Sequence, residues 1–179
     1  MARDPAVERQ FREFVAARSA ALHRTAYLIS GDWGLAEDLL QTALSKTYLA
    51  WHRIADKGAV EAYARRVLVN TATSWWRRRW RGEHPTEVLP EPSHRDSYVE
   101  QHAERDAIWQ HVKALPPKQR AVLVLRYYED LTEAETARLL NVSVGTVKSH
   151  AARALKSMQQ RLTAAGTPVP QIEVAGGEV

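Results

Sequence analysis

A proline-containing acidic segment near the middle of the chain most strongly limits how it can fold. Residues 82–97 read GEHPTEVLPEPSHRDS and include Pro85, Pro90 and Pro92 among few large apolar side chains. Proline lacks a backbone N–H and disfavours helix at the preceding residue, so an extended linker is expected here. The 179-residue chain is therefore predicted to form two small domains. Such a linker permits the two domains either to pack together or to stay apart.

Both domains are predicted to be helical, and the fold class is all-α. Apolar residues recur at intervals of three and four, as in Leu35, Leu39 and Leu40. The run AVLVLRYY at residues 121–128 could be a buried strand by composition, but its neighbours have helical periodicity. The expected order begins with a pair of helices separated near 31–34, followed by a break at 56–59 and a helix over about 60–81. After the linker come a helix over about 98–114 and three further helical stretches with breaks near 129–132 and 141–143.

Composition excludes several classes of site. The chain has no cysteine, which rules out disulfides, thiolate zinc sites, iron–sulfur clusters and cysteine catalysis. Its apolar runs are far shorter than the roughly 20 residues of a membrane-spanning helix. The first ten residues, MARDPAVERQ, contain no apolar signal core, so no membrane insertion and a cytoplasmic location are expected.

The charge pattern favours a polyanionic partner. Counting lysine, arginine, aspartate and glutamate gives +6 for residues 1–82, −5 for 83–106 and +5 for 107–162. Two basic blocks on either side of an acidic bridge are typical of proteins that bind nucleic acid. Two ordinarily solvated domains with a slight basic excess would explain the charge equally well.

The helix expected over about 60–81 has one basic face. It ends in SWWRRRWRG, and no acidic residue occurs from 62 to 82. At about 100° per residue, polar and basic side chains gather in one arc, which is predicted to contact phosphate. The alternative is an amphipathic surface helix with solvated arginines. The polar arc contains Arg66, Asn70, Thr73, Ser74, Arg77, Arg78 and Arg81.

The opposite arc of the same helix is apolar but contains two arginines. Trp75, Trp76 and Trp80 lie on this side or its flank and are expected to pack in the core or against a partner, with stacking on an unpaired base as the alternative. Arg65 and Arg79 fall within the apolar arc. Either their side chains extend past the apolar surface to water, or this face is partly exposed.

Residues 131–158 predict a helix-turn-helix. Thr132 and Glu135 have the spacing of a capping box, Asn141 tolerates the left-handed conformation that ends a helix, and Ser143 is a helix-capping residue. The second helix is predicted to enter a DNA major groove, with a generic helical hairpin as the alternative. Its apolar stripe is Val147, Ala151, Ala154, Leu155, Met158 and Leu162, and its outward face is Gly145, Ser149, Ala152, Arg153 and Lys156.

Three motifs together resemble the extracytoplasmic-function group of bacterial sigma-70 type RNA polymerase sigma factors. They are GDWGLAEDLLQTALSKTYLAW, AYARRVLVNTATSWWRRRWR and LPPKQRAVLVLRYYEDLTEAETARLLNVSVGTVKSHAARAL, and the resemblance covers roughly residues 8–163. It implies an alternative sigma factor without enzymatic activity, cofactor or metal, which directs core RNA polymerase to −35 and −10 promoter elements and helps to open the DNA. The implied domains are 1–82 (region 2), 83–102 (linker), 103–165 (region 4) and 166–179 (flexible tail).

The resemblance also implies roles for individual residues. The loop at 52–59 would receive a base extruded from the opening −10 element, and the polar arc would contact −10 DNA. The linker would pass toward the polymerase active centre, although a solvated tether is an equal alternative. An anti-sigma factor is a further implied partner. The beta flap of core polymerase is a further implied partner. Implied residue contacts are Glu37, Asp38 and Gln41 with the beta-prime clamp helices of core polymerase, and Thr146, Lys148, Ser149, His150 and Arg153 with −35 DNA.

The sequence departs from the family pattern at two positions and leaves two rival functions. Asn141 stands where glycine is usual and His150 where arginine is usual, which indicates a less typical turn and a base preference that differs from the family's. The first rival is a DNA-binding regulator that acts without polymerase. The second is an enzyme or metal site. Its candidate ligands are His94, Asp96, His102, Glu104 and Asp106, which lack the spacing of known ligand sets.

Overall fold

The computed structural model describes residues 5–54, 56–80 and 103–166, and within these ranges every regular element is helical. The all-α prediction is therefore confirmed, and the run AVLVLRYY lies within two consecutive helical segments. The α-helices are α1 (Pro5–Ser30), α2 (Trp33–Ala50), α3 (Val60–Trp80), α4 (Ala103–Lys113), α5 (Pro117–Leu123), α6 (Glu133–Leu140) and α7 (Val144–Ala164). Short 3-10 turns occupy Trp51–Arg53 and Lys57–Ala59, and a π-helical turn occupies Val124–Tyr128.

Helices α1, α2 and α3 form the first domain around a buried apolar core. Gly31 ends α1 with a φ of +77°, and Asp32 caps α2 by accepting a 2.9 Å hydrogen bond from the Leu35 N–H. This short turn folds α2 back on α1 and lies where the sequence predicts a separation of two helices, near 31–34. The largest fully buried side chains of this domain include Leu22, Ile29, Leu39, Leu68 and Val69.

The second domain contains the predicted helix-turn-helix, and each predicted cap is confirmed. Thr132 and Glu135 form a reciprocal capping box at the start of α6. Asn141 ends α6 in the left-handed conformation, with φ 55° and ψ 50°. Ser143 caps α7 by accepting a 3.1 Å hydrogen bond from the Thr146 N–H. The predicted inner stripe of α7 is buried at Val147, Ala154, Met158 and Leu162.

The two domains pack together, which settles the arrangement that the linker left open. Val124 and Leu125 of the second domain are buried in the same apolar cluster as the first-domain core. Leu131, Leu139 and Leu140 pack against that cluster from the helix-turn-helix. The linker and the tail after Gly166 lie outside the described residues. Nowhere in the described ranges is a helix long and apolar enough to cross a membrane.

Candidate nucleic-acid and protein-binding surfaces

The basic face of α3 is open to solvent where the structure describes it. Arg66, Asn70 and Arg77 are exposed, whereas Thr73 and Ser74 are half-buried. The Thr73 hydroxyl donates a 2.7 Å hydrogen bond to the Val69 carbonyl of its own helix, so it is less available to a ligand than the arginines. The side chain of Arg78 and all of Arg81 lie outside the described residues. Within the described residues the predicted arc is therefore open at Arg66, Asn70 and Arg77 and partly enclosed at Thr73 and Ser74.

The opposite face of α3 packs into the protein. Trp75 and Trp76 are half-buried against the main apolar cluster, which confirms the core-packing prediction for these two residues. Trp80 and Arg79 have no described side chains. Arg65 forms a 3.1 Å ion pair with Glu61 and a 2.8 Å ion pair with Glu129 of the second domain. Its place in the apolar arc thus reflects a contact between domains, which the sequence prediction missed.

A cleft of about 380 Å³ lies beside the loop predicted to receive an extruded base. The loop is shaped in part by Asp56, whose carboxylate accepts a 2.8 Å hydrogen bond from the Gly58 N–H. The cleft thus offers an aromatic ring, apolar walls and one cation. It is lined by Ala50, Arg53, Ile54, Ala59 and Tyr63.

Helix α7 presents the predicted recognition face to solvent. Lys148, Ser149 and Arg153 are exposed. Lys148 lies 3.7 Å from the Glu133 carboxylate of α6, a solvent-exposed pair of the kind that contributes little and yields readily to a stronger anion. Thr146 is half-buried, and its hydroxyl lies 2.8 Å from the Ser143 hydroxyl at the helix cap. Three of the five predicted −35 residues are thus fully available.

His150 lies at the edge of the recognition face and is half-buried. Its Nδ1 has no hydrogen-bond partner within the described part of the chain. Burial lowers the pKa of His150, and the positive charges of Lys118 and Arg153 lower it further. A neutral imidazole is therefore favoured at this position, where it adds no positive charge to the recognition face.

Helix α2 carries the residues predicted to contact polymerase on its exposed side. Glu37, Asp38 and Gln41 are all exposed, and the Gln41 amide donates a 3.0 Å hydrogen bond to Glu37. Ser45 and Leu49 continue the row at helical spacing, and Leu49 is 74% exposed. The face therefore combines acids, an amide and an exposed leucine. The sequence prediction did not include Leu49, although its spacing from Gln41 places it on the same side of the helix.

The residues that an enzyme or metal site would use fall mostly outside the described residues. His94, Asp96 and His102 precede the first described residue of the second domain, and the side chains of Glu104 and Asp106 are not described. Within the part of the chain that the structure describes, no three potential metal ligands cluster. The described surfaces carry binding chemistry, with exposed basic, acidic and apolar groups.

Two family models match the chain, one on each domain. "Sigma-70 region 2" matches residues 14–82, and "Sigma-70, region 4" matches residues 105–158. Together they cover more than half of the chain. The boundary between the two models coincides with the proline-containing segment.

Curated relatives match both domains in one alignment. The RNA polymerase sigma-E factor of Streptomyces coelicolor is 48% identical over 155 residues, which is 87% of this chain and 87% of the relative. The sigma-E factor of Streptomyces avermitilis is 49% identical over 153 residues, covering 86% and 85%. The ECF RNA polymerase sigma factor SigM of Mycobacterium tuberculosis is 33% identical over 133 residues, covering 74% and 67%.

The same fold is found in a solved structure. It is the sigma factor RpoE of Bartonella quintana, solved with the anti-sigma factor NepR, and it superposes with a TM-score of 0.62 at 23% identity. The match covers 86% of this chain and 96% of that chain. The arrangement of helices described above is therefore one that a solved protein also adopts.

Proposed function

Because this chain belongs to the sigma-70 family of RNA polymerase sigma factors, in its extracytoplasmic-function group, we propose that three exposed surfaces divide the work of promoter-specific initiation. The chain is an alternative sigma transcription initiation factor. It is proposed to have no catalytic activity of its own and to act in the cytoplasm with RNA polymerase. Its contribution is binding energy, used to select and open a promoter.

The exposed face of α2 is proposed to bind the beta-prime clamp helices of core polymerase. Asp38 and Gln41 lie in the row that Leu49 extends, so polar and apolar contacts are available along one rigid helix. Interfaces of this kind place apolar anchors near their centre and charged groups at the rim. The second domain is proposed to contact the beta flap.

The basic face of α3 and the adjacent cleft are proposed to hold −10 DNA. Arg66 and Arg77 are proposed to contact phosphates, and Asn70 is exposed between them on the same face. The cleft beside Tyr63 and Arg53 would accept one extruded base by stacking and cation contacts. Such capture offsets an unstacking cost of a few kcal/mol.

The recognition face of α7 is proposed to read the −35 element in duplex DNA. Arg153 is the strongest candidate for a base contact because it is exposed and makes no ion pair in the described structure. Lys148 would exchange its weak contact with Glu133 for a phosphate. The observation that best supports the whole proposal is that two separate helices each expose a basic face to solvent within one chain of this family.

Substitution of Arg153 tests the −35 assignment. Arg153→Ala is expected to lower discrimination at one −35 position by about 1–3 kcal/mol, because a bidentate base contact is lost. Lys156→Ala, at an exposed neighbour on α7, is expected to weaken binding evenly across sequences. Transcription by core polymerase from a randomised promoter library measures both effects. An unchanged base preference in Arg153→Ala would rule out this assignment.

A further inference from the structure

The first residue of α2 is an exposed tryptophan that has no part in the function proposed above. Trp33 is 45% exposed, although tryptophan is usually largely buried because its indole ring carries a large apolar area. It follows the helix cap at Asp32 and precedes Gly34, which is itself exposed and has no side chain. The ring is therefore open to a partner that approaches the N-terminal end of α2.

Two aromatic side chains of α1 hold the Trp33 ring in one orientation. The Tyr27 ring stacks on it with a centroid separation of 3.8 Å and an interplanar angle of 7°. The His23 ring, one turn earlier on α1, contacts it at 5.2 Å and an angle of 61°. Both neighbours belong to the first domain. An exposed ring that is already fixed loses little conformational entropy on binding, which is a property of interface anchors.

The surface around Trp33 is acidic. Glu37 lies one turn after it on the same side of α2, and the neighbouring Asp38 is exposed. No lysine or arginine occurs in the sequence from 25 to 45. His23 contacts both parts of this surface, because its Nε2 lies 3.5 Å from the Glu37 carboxylate while its ring meets Trp33. The indole ring and the carboxylate therefore form one patch, the Trp33–Glu37 patch.

The Trp33–Glu37 patch has the chemistry of a site for a cationic side chain. The face of an aromatic ring attracts a guanidinium or ammonium group, and tryptophan does so most strongly. A guanidinium can stack on the ring while its N–H groups donate to a carboxylate beside it. The negative charges of Glu37 and Asp38 repel phosphate, so nucleic acid fits this patch poorly.

The patch continues the face of α2 that is proposed to bind the beta-prime clamp helices. The Gln41 amide donates a 3.0 Å hydrogen bond to Glu37, so the patch joins that face directly. Leu49, which is 74% exposed, lies near the other end of the helix. An exposed apolar side chain thus stands at each end of α2, about 24 Å apart at 1.5 Å per residue, with acids and an amide between them.

We propose that Trp33 and Glu37 together bind an arginine or lysine side chain of the polymerase clamp helices. The indole face receives the cation, and the Glu37 carboxylate accepts its hydrogen bonds. This contact fixes the N-terminal end of α2 on polymerase, beyond the contacts of Asp38 and Gln41. The cation site rests on the proposed function, because α2 must meet polymerase for the site to be filled.

Two substitutions at residue 33 separate a cation site from a plain apolar contact. Trp33→Tyr keeps an aromatic face and is expected to bind core polymerase within about threefold of the wild type. Trp33→Leu keeps only apolar area and is expected to weaken binding about tenfold or more. Val142→Ala, at an apolar residue of the second domain that is 40% exposed, is the control and is expected to leave core binding unchanged. Titration of the fluorescently labelled protein with core polymerase measures binding, and circular dichroism establishes that each variant is folded.

Substitutions in polymerase identify the cation. Each arginine and lysine of the clamp helices is replaced by glutamine in turn, and each polymerase is titrated with the wild type and with Trp33→Leu. One replacement is expected to weaken binding of the wild type about tenfold but that of Trp33→Leu less than about threefold, because the two partners of one contact are not additive. The same replacement is expected to be non-additive with Glu37→Gln. Additive effects for every replacement would overturn the cation site.

The outcomes also distinguish failure of the cation site from failure of the proposed function. If Asp38→Arg loses core binding while Trp33→Leu binds as tightly as the wild type, then α2 meets polymerase without Trp33 and only the cation site is overturned. Equal losses in Trp33→Tyr and Trp33→Leu would also overturn it, because an aromatic face would then be insufficient. If the wild type does not bind core polymerase, the proposed function fails and the cation site fails with it.

Discussion

His150 illustrates how a neighbouring helix changes the chemistry of a residue that sequence alone assigns to the DNA surface. It belongs to the recognition helix by position, but it is half-buried, with Lys118 of α5 and Arg153 of its own helix as the charges that act on it. Periodicity predicts the outward orientation of Ser149 and Arg153, which follows from local geometry. It does not predict how far α5 encloses the flank, because that depends on packing between helices distant in sequence.

The lowered pKa of His150 predicts a pH-dependent stability. As pH falls below about 6.5, the unfolded chain takes up a proton at this histidine before the folded protein does. The free energy of unfolding is therefore expected to fall between pH 7.5 and pH 5.5 in the wild type and to fall less in His150→Gln. Urea denaturation at both pH values measures this, with His52→Gln as an exposed-histidine control. Equal pH slopes in the wild type and His150→Gln would contradict the prediction.

At the scale of elements, the ends of α6 and α7 follow directly from local sequence, whereas the π-helical turn before them does not. Thr132, Asn141 and Ser143 each act on backbone groups no more than four residues away, so the sequence predicts them correctly. Val124–Tyr128 has a strand-like composition and adopts a π-helical turn. Its Val124 and Leu125 side chains are buried against the first domain, and no local rule contains that information.

The capping box makes a measurable contribution to the helix-turn-helix. Thr132→Ala removes the hydroxyl that accepts from the Glu135 N–H, and is expected to lower the free energy of unfolding by about 1 kcal/mol. Thr163→Ala, at an exposed position in the last turn of α7, is the matched control and is expected to change it far less. Urea denaturation followed by circular dichroism compares them. An equal loss in the two variants would show that the cap contributes nothing.

At the scale of the whole molecule, the sequence indicates two domains but not their contact. Candidate surfaces on α2, α3 and α7 are predictable because each depends on one helix and its exposed face. The docking of the domains includes hydrogen bonds of Arg120 to carbonyls 90 and 91 residues away and of Glu129 to Thr25, 104 residues away. The one sequence signal was Arg65 within an apolar arc, and it did not identify a partner.

Removal of Arg120 is expected to destabilise both domains together. Arg120→Met leaves the carbonyls of Ile29, Ser30 and Lys113 without this donor, and a loss of about 3 kcal/mol or more is expected. Arg24→Met, at an exposed position on α1, is the control and is expected to change stability by less than about 0.5 kcal/mol. Calorimetry measures the transition. Similar transition temperatures in the two variants would contradict the role of Arg120 in joining the domains.

The most direct test of the sigma-factor function is binding of core RNA polymerase by the purified protein, followed by transcription from a promoter library. The wild type is expected to bind core polymerase and initiate at a defined set of sequences. Asp38→Arg is expected to lose core binding, while Glu13→Arg, an exposed charge reversal on α1, retains it. Asn70→Ala is expected to bind polymerase but lose promoter opening. Tight binding of duplex DNA by the protein alone, without any binding of core polymerase, would contradict the sigma-factor function and favour a stand-alone regulator.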